Sequence, residues 1–292
     1  MQPVITVGLD GSPESLAAAR WAADEADKRN LTLRLLHAWP LLTPEPARGP
    51  SEVDQNYWAK RFVHTARAEL ETLHPGLPII GSLVADDARK ALLQAASESE
   101  LIVLGSGGLD AVESYFLGDV SMPVVARAQR PVVLIRAETP VKADAAHPAP
   151  ASRVVVALKL NGSSDDLLDF AFHAAAAREV SLLAVHGRSV PLHARVPWGV
   201  DHAAVAEEVT RDAQQELSRI LRRWREKYPR VDAACAIRLE NPSKAIVQAA
   251  EGAALLVVGR RAHRHGVAPH LGPVAHAAIH HGHCPVAVVP HD

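Results

Sequence analysis

Three glycines and two aspartates carry the chemistry this sequence offers. In GSGGLDAVESYFLGDVS, residues 105–121, Gly105 and Gly108 stand three apart, nine residues separate Gly108 from Gly118, and Asp119 follows. Glycine tolerates positive φ and lets a backbone approach a ligand closely, so consecutive amides can converge on phosphate oxygens. The segment DVSMPVVARA after Gly118 reads as a helix start. Its free N–H groups and positive dipole end, at Asp119, Val120 and Ser121, would form the second side of an anion cradle. The competing reading is that these glycines only make turns. Asp10, in VGLDGS after the first apolar run, likewise has two readings: a ligand for ribose hydroxyls or a metal, or an ordinary turn residue.

Asp119 opposes the cradle. A carboxylate only accepts hydrogen bonds, and two unit charges about 4 Å apart at an effective dielectric near 20 repel by roughly 4 kcal/mol. Unrelieved, that weakens phosphate binding about a thousandfold. Three arrangements stay open: Asp119 caps the helix amides itself, it turns outward, or it shares a Mg²⁺ with phosphate oxygens and Asp10.

Other constellations fall away. Asp110 stands where a G-x-G-x-x-G dinucleotide loop needs its third glycine, and no G-x-x-x-x-G-K-[ST] occurs, so any nucleotide would be held mainly by backbone. GLDGS lacks the G-x-S-x-G of a nucleophile elbow. His276 and His280 are four apart, but no cysteine or carboxylate completes a recognised zinc spacing. No enzyme class is indicated beyond, at most, slow ATP hydrolysis.

The elements that must position these residues occur twice. VITVGLDGS answers RVVVALKLNGS, LRLLHAW answers SLLAVHGRS, RKALLQAASESELIVLGSGG answers SKAIVQAAEGAALLVVGRRA, and RPVVLIR answers CPVAVVP, in the same order. His37 and His186 fall at matching points. The chain therefore reads as a tandem duplication, with domains at 1–140 and 151–292 and a proline- and alanine-rich linker at 141–150. Within each copy short β-branched runs alternate with segments of helical period, which predicts an α/β fold with an open, doubly wound parallel sheet. Ser12 and Pro13 predict a capped helix start, and Val209, Ala213, Leu217, Ile220, Leu221, Trp224 and Tyr228 predict one apolar helix face. In such sheets a ligand sits beyond the carboxyl ends of the strands, where strand order reverses; Asp10 and Gly105 are at the correct ends to meet there.

These segments resemble the universal stress protein family. Its nucleotide signature is two glycines three apart, nine intervening residues, then glycine and serine or threonine, and this chain is similar except that Asp119 replaces the hydroxyl residue. VGLDGS, the HAW after the second strand and RPVVLIR also match, and the resemblance covers both halves. It implies the adenine nucleotide alpha hydrolase-like fold, with the halves packed as an intramolecular pseudo-dimer through their last strands. It implies ATP as the ligand and a site of Gly8, Asp10, Ala38, Gly105, Gly108, Gly118, Val120 and Ser121, with Asp119 at the hydroxyl position; Mg²⁺ held by Asp10 and Asp119 is the third of the arrangements left open above. In the second half Ala262 replaces the second glycine, Pro273 the hydroxyl residue and Lys159 the aspartate, so ATP is not expected there. Lys159, Arg260 and Arg261 leave another anion open.

Composition bounds the partners. With 31 Lys and Arg against 33 Asp and Glu the net charge is −2, which gives no general attraction to nucleic acid or an anionic membrane. No apolar stretch approaches the length of a bilayer span, the N-terminus lacks the pattern of a signal peptide, and two distant cysteines fit a reduced compartment, so a cytoplasmic protein is expected. Two functions remain: a stress-response regulator that binds ATP in its first half and contacts unidentified proteins, or a nucleotide-independent interaction protein. Association of whole chains as a homodimer is compatible with both.

Overall fold

The apolar runs become parallel strands and the segments between them become helices. The computed structural model describes residues 3–39, 52–106, 118–137, 153–189, 202–261 and 271–291. They form two compact units, one of the described residues up to 137 and one of those from 153 onward.

The first unit contains β1 (Val4–Gly8), α1 (Pro13–Arg29), β2 (Thr32–Ala38), α2 (Glu52–Leu73), β3 (Ile79–Val84), α3 (Ala88–Ser97), β4 (Leu101–Gly105), α4 (Gly118–Arg127) and β5 (Val132–Ile135). Its strands lie in the order β3-β2-β1-β4-β5, each pair parallel. The chain moves outward from β1 through β2 to β3, then crosses back to place β4 on the other side of β1. Strand order therefore reverses between β1 and β4, and a crevice opens beyond their carboxyl ends.

Leu101, Ile102 and Val103 of β4 are fully buried, each stabilising the fold by about 1.5–3 kcal/mol relative to exposure. Helix α1 covers the sheet with Ala18, Ala19, Ala22, Ala23 and Ala26. Side chains this small let the helix axis come close to the strands, which matters for the site. The expected start of α1 is present: the Ser12 hydroxyl accepts from the Ser15 amide at 3.1 Å, with Pro13 in the first turn. The helix ends at Asn30 in the left-handed region, φ 54°, a conformation asparagine tolerates.

The second unit repeats the plan with β6 (Arg153–Ala157), α5 (Asp165–Arg178), β7 (Ser181–Gly187), α6 (His202–Lys227), β8 (Ala233–Arg238), α7 (Pro242–Ala249), β9 (Leu255–Arg261), α8 (Pro273–His281) and β10 (Val286–His291). Its order is β8-β7-β6-β9-β10, again all parallel. On α6, Ala213, Leu217, Leu221 and Trp224 are buried, while Val209 and Ile220, and Tyr228 just past the helix end, are half-buried at the margins of that face. The duplication extends to detail. His37 Nδ1 donates to the Leu9 carbonyl at 2.8 Å and His186 Nδ1 to the Leu158 carbonyl at 2.9 Å. Each imidazole ties the end of the second strand to the turn after the first. No helix of the described residues is long and apolar enough to cross a membrane.

Candidate functional site

The crevice of the first unit is a cleft of about 100 Å³ at the carboxyl ends of β1 and β4. Its floor is apolar: Leu9 and Leu36 follow or end the strands, and Leu92 of α3 and Leu104 of β4 close it from below. Three side chains bring polar atoms to the wall, Asp10, Ser15 and Ser121. Of the nine residues expected from the sequence, Gly8, Asp10, Ala38, Gly105, Val120 and Ser121 line this one cleft. Gly118 is the first residue of α4, so the helix start lies where the glycine spacing put it. Gly108 and the side chain of Asp119 lie outside the described residues.

Asp10 is anchored locally. Its Oδ1 accepts from the Ser12 amide at 2.9 Å and the Ser12 hydroxyl at 2.6 Å, forming an Asx turn, and the residue is exposed. Gly11 completes the turn at φ 86°, which a residue with a Cβ enters only under strain.

Gly105 is a glycine for a reason the sequence did not expose. A Cβ there would stand 2.6 Å from the backbone carbon of Glu14 and 2.7 Å from the Ser15 nitrogen. The first turn of α1 leans directly on the end of β4, and only a missing side chain permits it. At Gly8 a Cβ would meet the Leu104 methyl at 2.8 Å. Ser121 is buried, and its hydroxyl donates to the Gly105 carbonyl at 3.4 Å, which holds α4 against the same strand end.

Leu9, Ser15, Ala88, Leu36, Leu92 and Leu104 were not foreseen as lining. The leucines belong to ordinary apolar runs. Ser15 is reached only because α1 folds back across β4. Its hydroxyl donates to the Ser12 carbonyl at 2.9 Å and accepts from the Asp10 amide at 3.4 Å.

The corresponding strand ends of the second unit are packed differently. Gly187 occupies the position of Ala38 and Pro242 that of Ala88 in the aligned repeats. A Cβ on Gly187 would lie 2.6 Å from Pro242 Cα and 3.2 Å from Ala245 Cβ. Helix α7 therefore sits on the end of β7, where the first unit keeps its cleft open. Above Gly259, the counterpart of Gly105, the His291 ring fills the space, 2.6 Å from where a Cβ would be. Lys159 is exposed at the position of Asp10, whereas Arg260 is only 4% exposed and burial pushes its guanidinium down from its ordinary pKa. Arg260 is thus withdrawn from solvent. The His276 and His280 rings lie 4.3 Å apart between centroids, tilted by 41°, but among the described residues no three His, Cys, Asp or Glu groups converge on a metal position.

A sequence profile of the universal stress protein family matches residues 1–136 and again residues 150–290. The chain belongs to the universal stress protein family. The universal stress protein Rv2005c of Mycobacterium tuberculosis is 31% identical over 291 residues, covering 97% of this chain and 96% of its own. A universal stress protein from Archaeoglobus fulgidus shares the fold across 98% of both chains, with a TM-score of 0.62 at 17% identity. A universal stress protein solved in complex with cAMP is 22% identical and covers 46% of this chain, with a TM-score of 0.38. Seen as a tandem universal stress protein, the chain has a strand-end cleft in its first unit, while in its second unit α7 packs on Gly187 and the His291 ring on Gly259.

Proposed function

We propose that this universal stress protein binds an adenine nucleotide in the first-unit cleft and works as a stress-response regulator whose second unit has no nucleotide site. The observation that carries the reading is the convergence of Gly8, Asp10, Ala38, Gly105, Val120 and Ser121 on one cleft at the strand-order reversal. The apolar floor suits a purine face. The carboxylate of Asp10 suits ribose hydroxyls, which are donors, and the amides at the start of α4 are the anion-facing group. ATP is the nucleotide expected from the family resemblance. Mg²⁺ would supply charge neutralisation between phosphate and carboxylate; among the described side chains Asp10 is the carboxylate of the cleft. Binding would change the surface offered to protein partners in the cytoplasm.

Calorimetric titration of the intact protein with adenosine, AMP and ATP tests this. Saturable binding at one site per chain is expected. Ala38→Leu, which fills the cleft from β2, is expected to weaken it at least about tenfold, a loss near 1.4 kcal/mol, while the unfolding midpoint is retained. Binding unaffected by Ala38→Leu would move the site elsewhere.

A second reading has its own support. Asp10 is satisfied by Ser12, and Gly105 is required by α1, so both residues have structural reasons to be present without a ligand. On that reading the chain is a nucleotide-independent interaction protein, and the same titration gives no heat with any of the three compounds.

A further inference from the structure

We infer that the outer face of α2 docks an acidic protein segment that carries aromatic or aliphatic anchor residues. The inference is independent of the nucleotide reading of the cleft.

The first observation is an aromatic cluster on a helix face that takes no part in the core. Helix α2 packs inward through Ala59, Val63, Ala66 and Leu70, all buried, at the three- and four-residue spacing of one helix face. On its outer side Tyr57 is 58% exposed, Trp58 50% and Phe62 41%. Trp58 and Phe62 are four apart and so neighbour each other on the surface, and the Tyr57 and Trp58 rings meet edge to face at 5.7 Å. Phe62 is set in place by its surroundings: its ring lies 3.2 Å from where a Cβ on Gly11 would stand and 6.2 Å from the His37 ring between centroids. A ring held this way loses little freedom when something covers it.

The second observation comes from the repeat. Helix α2 ends at Leu73 and α6 at Lys227, and the same turn follows each: the Leu77 amide donates to the His74 carbonyl at 3.1 Å and the Val231 amide to the Tyr228 carbonyl at 3.0 Å. Aligned on that turn, buried Ala59, Val63 and Leu70 correspond to buried Ala213, Leu217 and Trp224, whereas Tyr57, Trp58 and Phe62 correspond to Arg211, Asp212 and Glu216. The fold asks only for a water-facing surface at these places, so the rings are not there to build it.

Charge and area decide the occupant. Lys60 and Arg61 are exposed among the rings, with the Arg61 guanidinium 5.6 Å from the Trp58 centroid, and the sequence from Tyr57 to Ala68 contains no Asp or Glu. A second copy meeting this face across a two-fold axis would set these cations against their own counterparts. Three half-exposed rings, each carrying roughly 150–250 Å², offer on the order of 300 Å² per chain, below the roughly 800 Å² per partner of a stable interface. A nucleic acid would bring a long polyanion to a unit whose residues 1–145 include more Asp and Glu than Lys and Arg. A short acidic segment meets the local cations, and its apolar side chains meet the rings; Trp, Tyr and Arg are the residue types that dominate binding energy in such contacts.

The test is fluorescence anisotropy of the intact protein with a labelled synthetic peptide that alternates Glu with Phe and Leu, compared with a polyglutamate peptide of equal charge and a single-stranded oligothymidylate. The Glu/Phe/Leu peptide is expected to bind saturably, at least tenfold more tightly than either polyanion, and less tightly as salt rises. Trp58→Asp, the residue type found at the matching place in the second unit, and the pair Lys60→Glu with Arg61→Glu are each expected to weaken it at least tenfold with the unfolding midpoint retained. Should Trp58→Asp lower that midpoint, the Lys60 and Arg61 pair decides alone. The inference is overturned by no saturable binding of the Glu/Phe/Leu peptide, by equal binding of polyglutamate, by tighter binding of the oligothymidylate, or by affinity unchanged in the folded variants. A dimer in sedimentation that dissociates in Trp58→Asp overturns it as well, because the face would then belong to a second copy.

Discussion

Gly105 illustrates how one residue can carry two explanations that only geometry separates. Its spacing to Gly108 and Gly118 suggests a phosphate loop, yet the space beside its Cα is taken by the backbone of Glu14 and Ser15. Gly105→Ala should therefore destabilise the ligand-free protein by about 1–3 kcal/mol, the usual range for an overpacked interior. Chemical denaturation without nucleotide checks this; a midpoint equal to that of the parent would return the glycine to the ligand. Ser12 is similarly doubly used, capping the Ser15 amide and donating to Asp10. Ser12→Ala should cost about 1 kcal/mol through the lost cap, and it should also free Asp10 to reorient. Asp10 was legible from its place after the first strand. Ser15 was not, because nothing in its spacing tells that α1 bends over a strand some ninety residues later in the chain.

At the scale of elements, the repeated helices α3 and α7 differ in how they are capped, and the difference is measurable. Asp87 Oδ1 accepts from the Arg89 and Lys90 amides at 3.1 and 3.2 Å; Asn241 Oδ1 accepts from the Ser243 and Lys244 amides at 2.9 and 3.4 Å. The Lys90 amide, helped by Arg89 against a small desolvation effect, holds the Asp87 carboxyl below its ordinary pKa. A depressed carboxyl stabilises the fold above its unfolded pKa and loses that contribution as pH falls through the lower folded value. Acidification below the ordinary carboxylate range should thus loosen the first turn of α3 while leaving the asparagine-capped turn of α7 unchanged. Hydrogen exchange resolved to these two helices checks it, and equal loosening of both would contradict the cap assignment. The helices themselves were readable from their periodicity and caps. Their distance from the sheet was not, because it depends on which small residues face each other across the contact.

At the scale of the whole molecule, the duplication, the strand and helix segments of each unit and the loss of the second glycine loop were all visible as aligned text. The packing of the second unit's strand ends was not. Substitutions in the glycine loop predicted a weakened site, and the structure adds a contact outside that loop, at Gly187 and Pro242, where α7 packs on β7. In a sequence, Gly187 opposite Ala38 reads as one small residue exchanged for another; only the approach of a helix gives it meaning. Gly187→Ala should destabilise the protein by about 1–3 kcal/mol through that contact, although its counterpart Ala38 carries the same methyl with no penalty. A thermal or chemical midpoint unchanged by Gly187→Ala would contradict that contact. The central claim, that a single adenine site per chain lies beyond β1 and β4, is tested most directly by photolabelling the intact protein with azidoadenosine and mapping the modified peptides. The account predicts label in the peptides carrying residues 4–38 or 101–127, competed away by unlabelled adenosine and lost in Ala38→Leu. Competable label confined to residues 153–291 would contradict it.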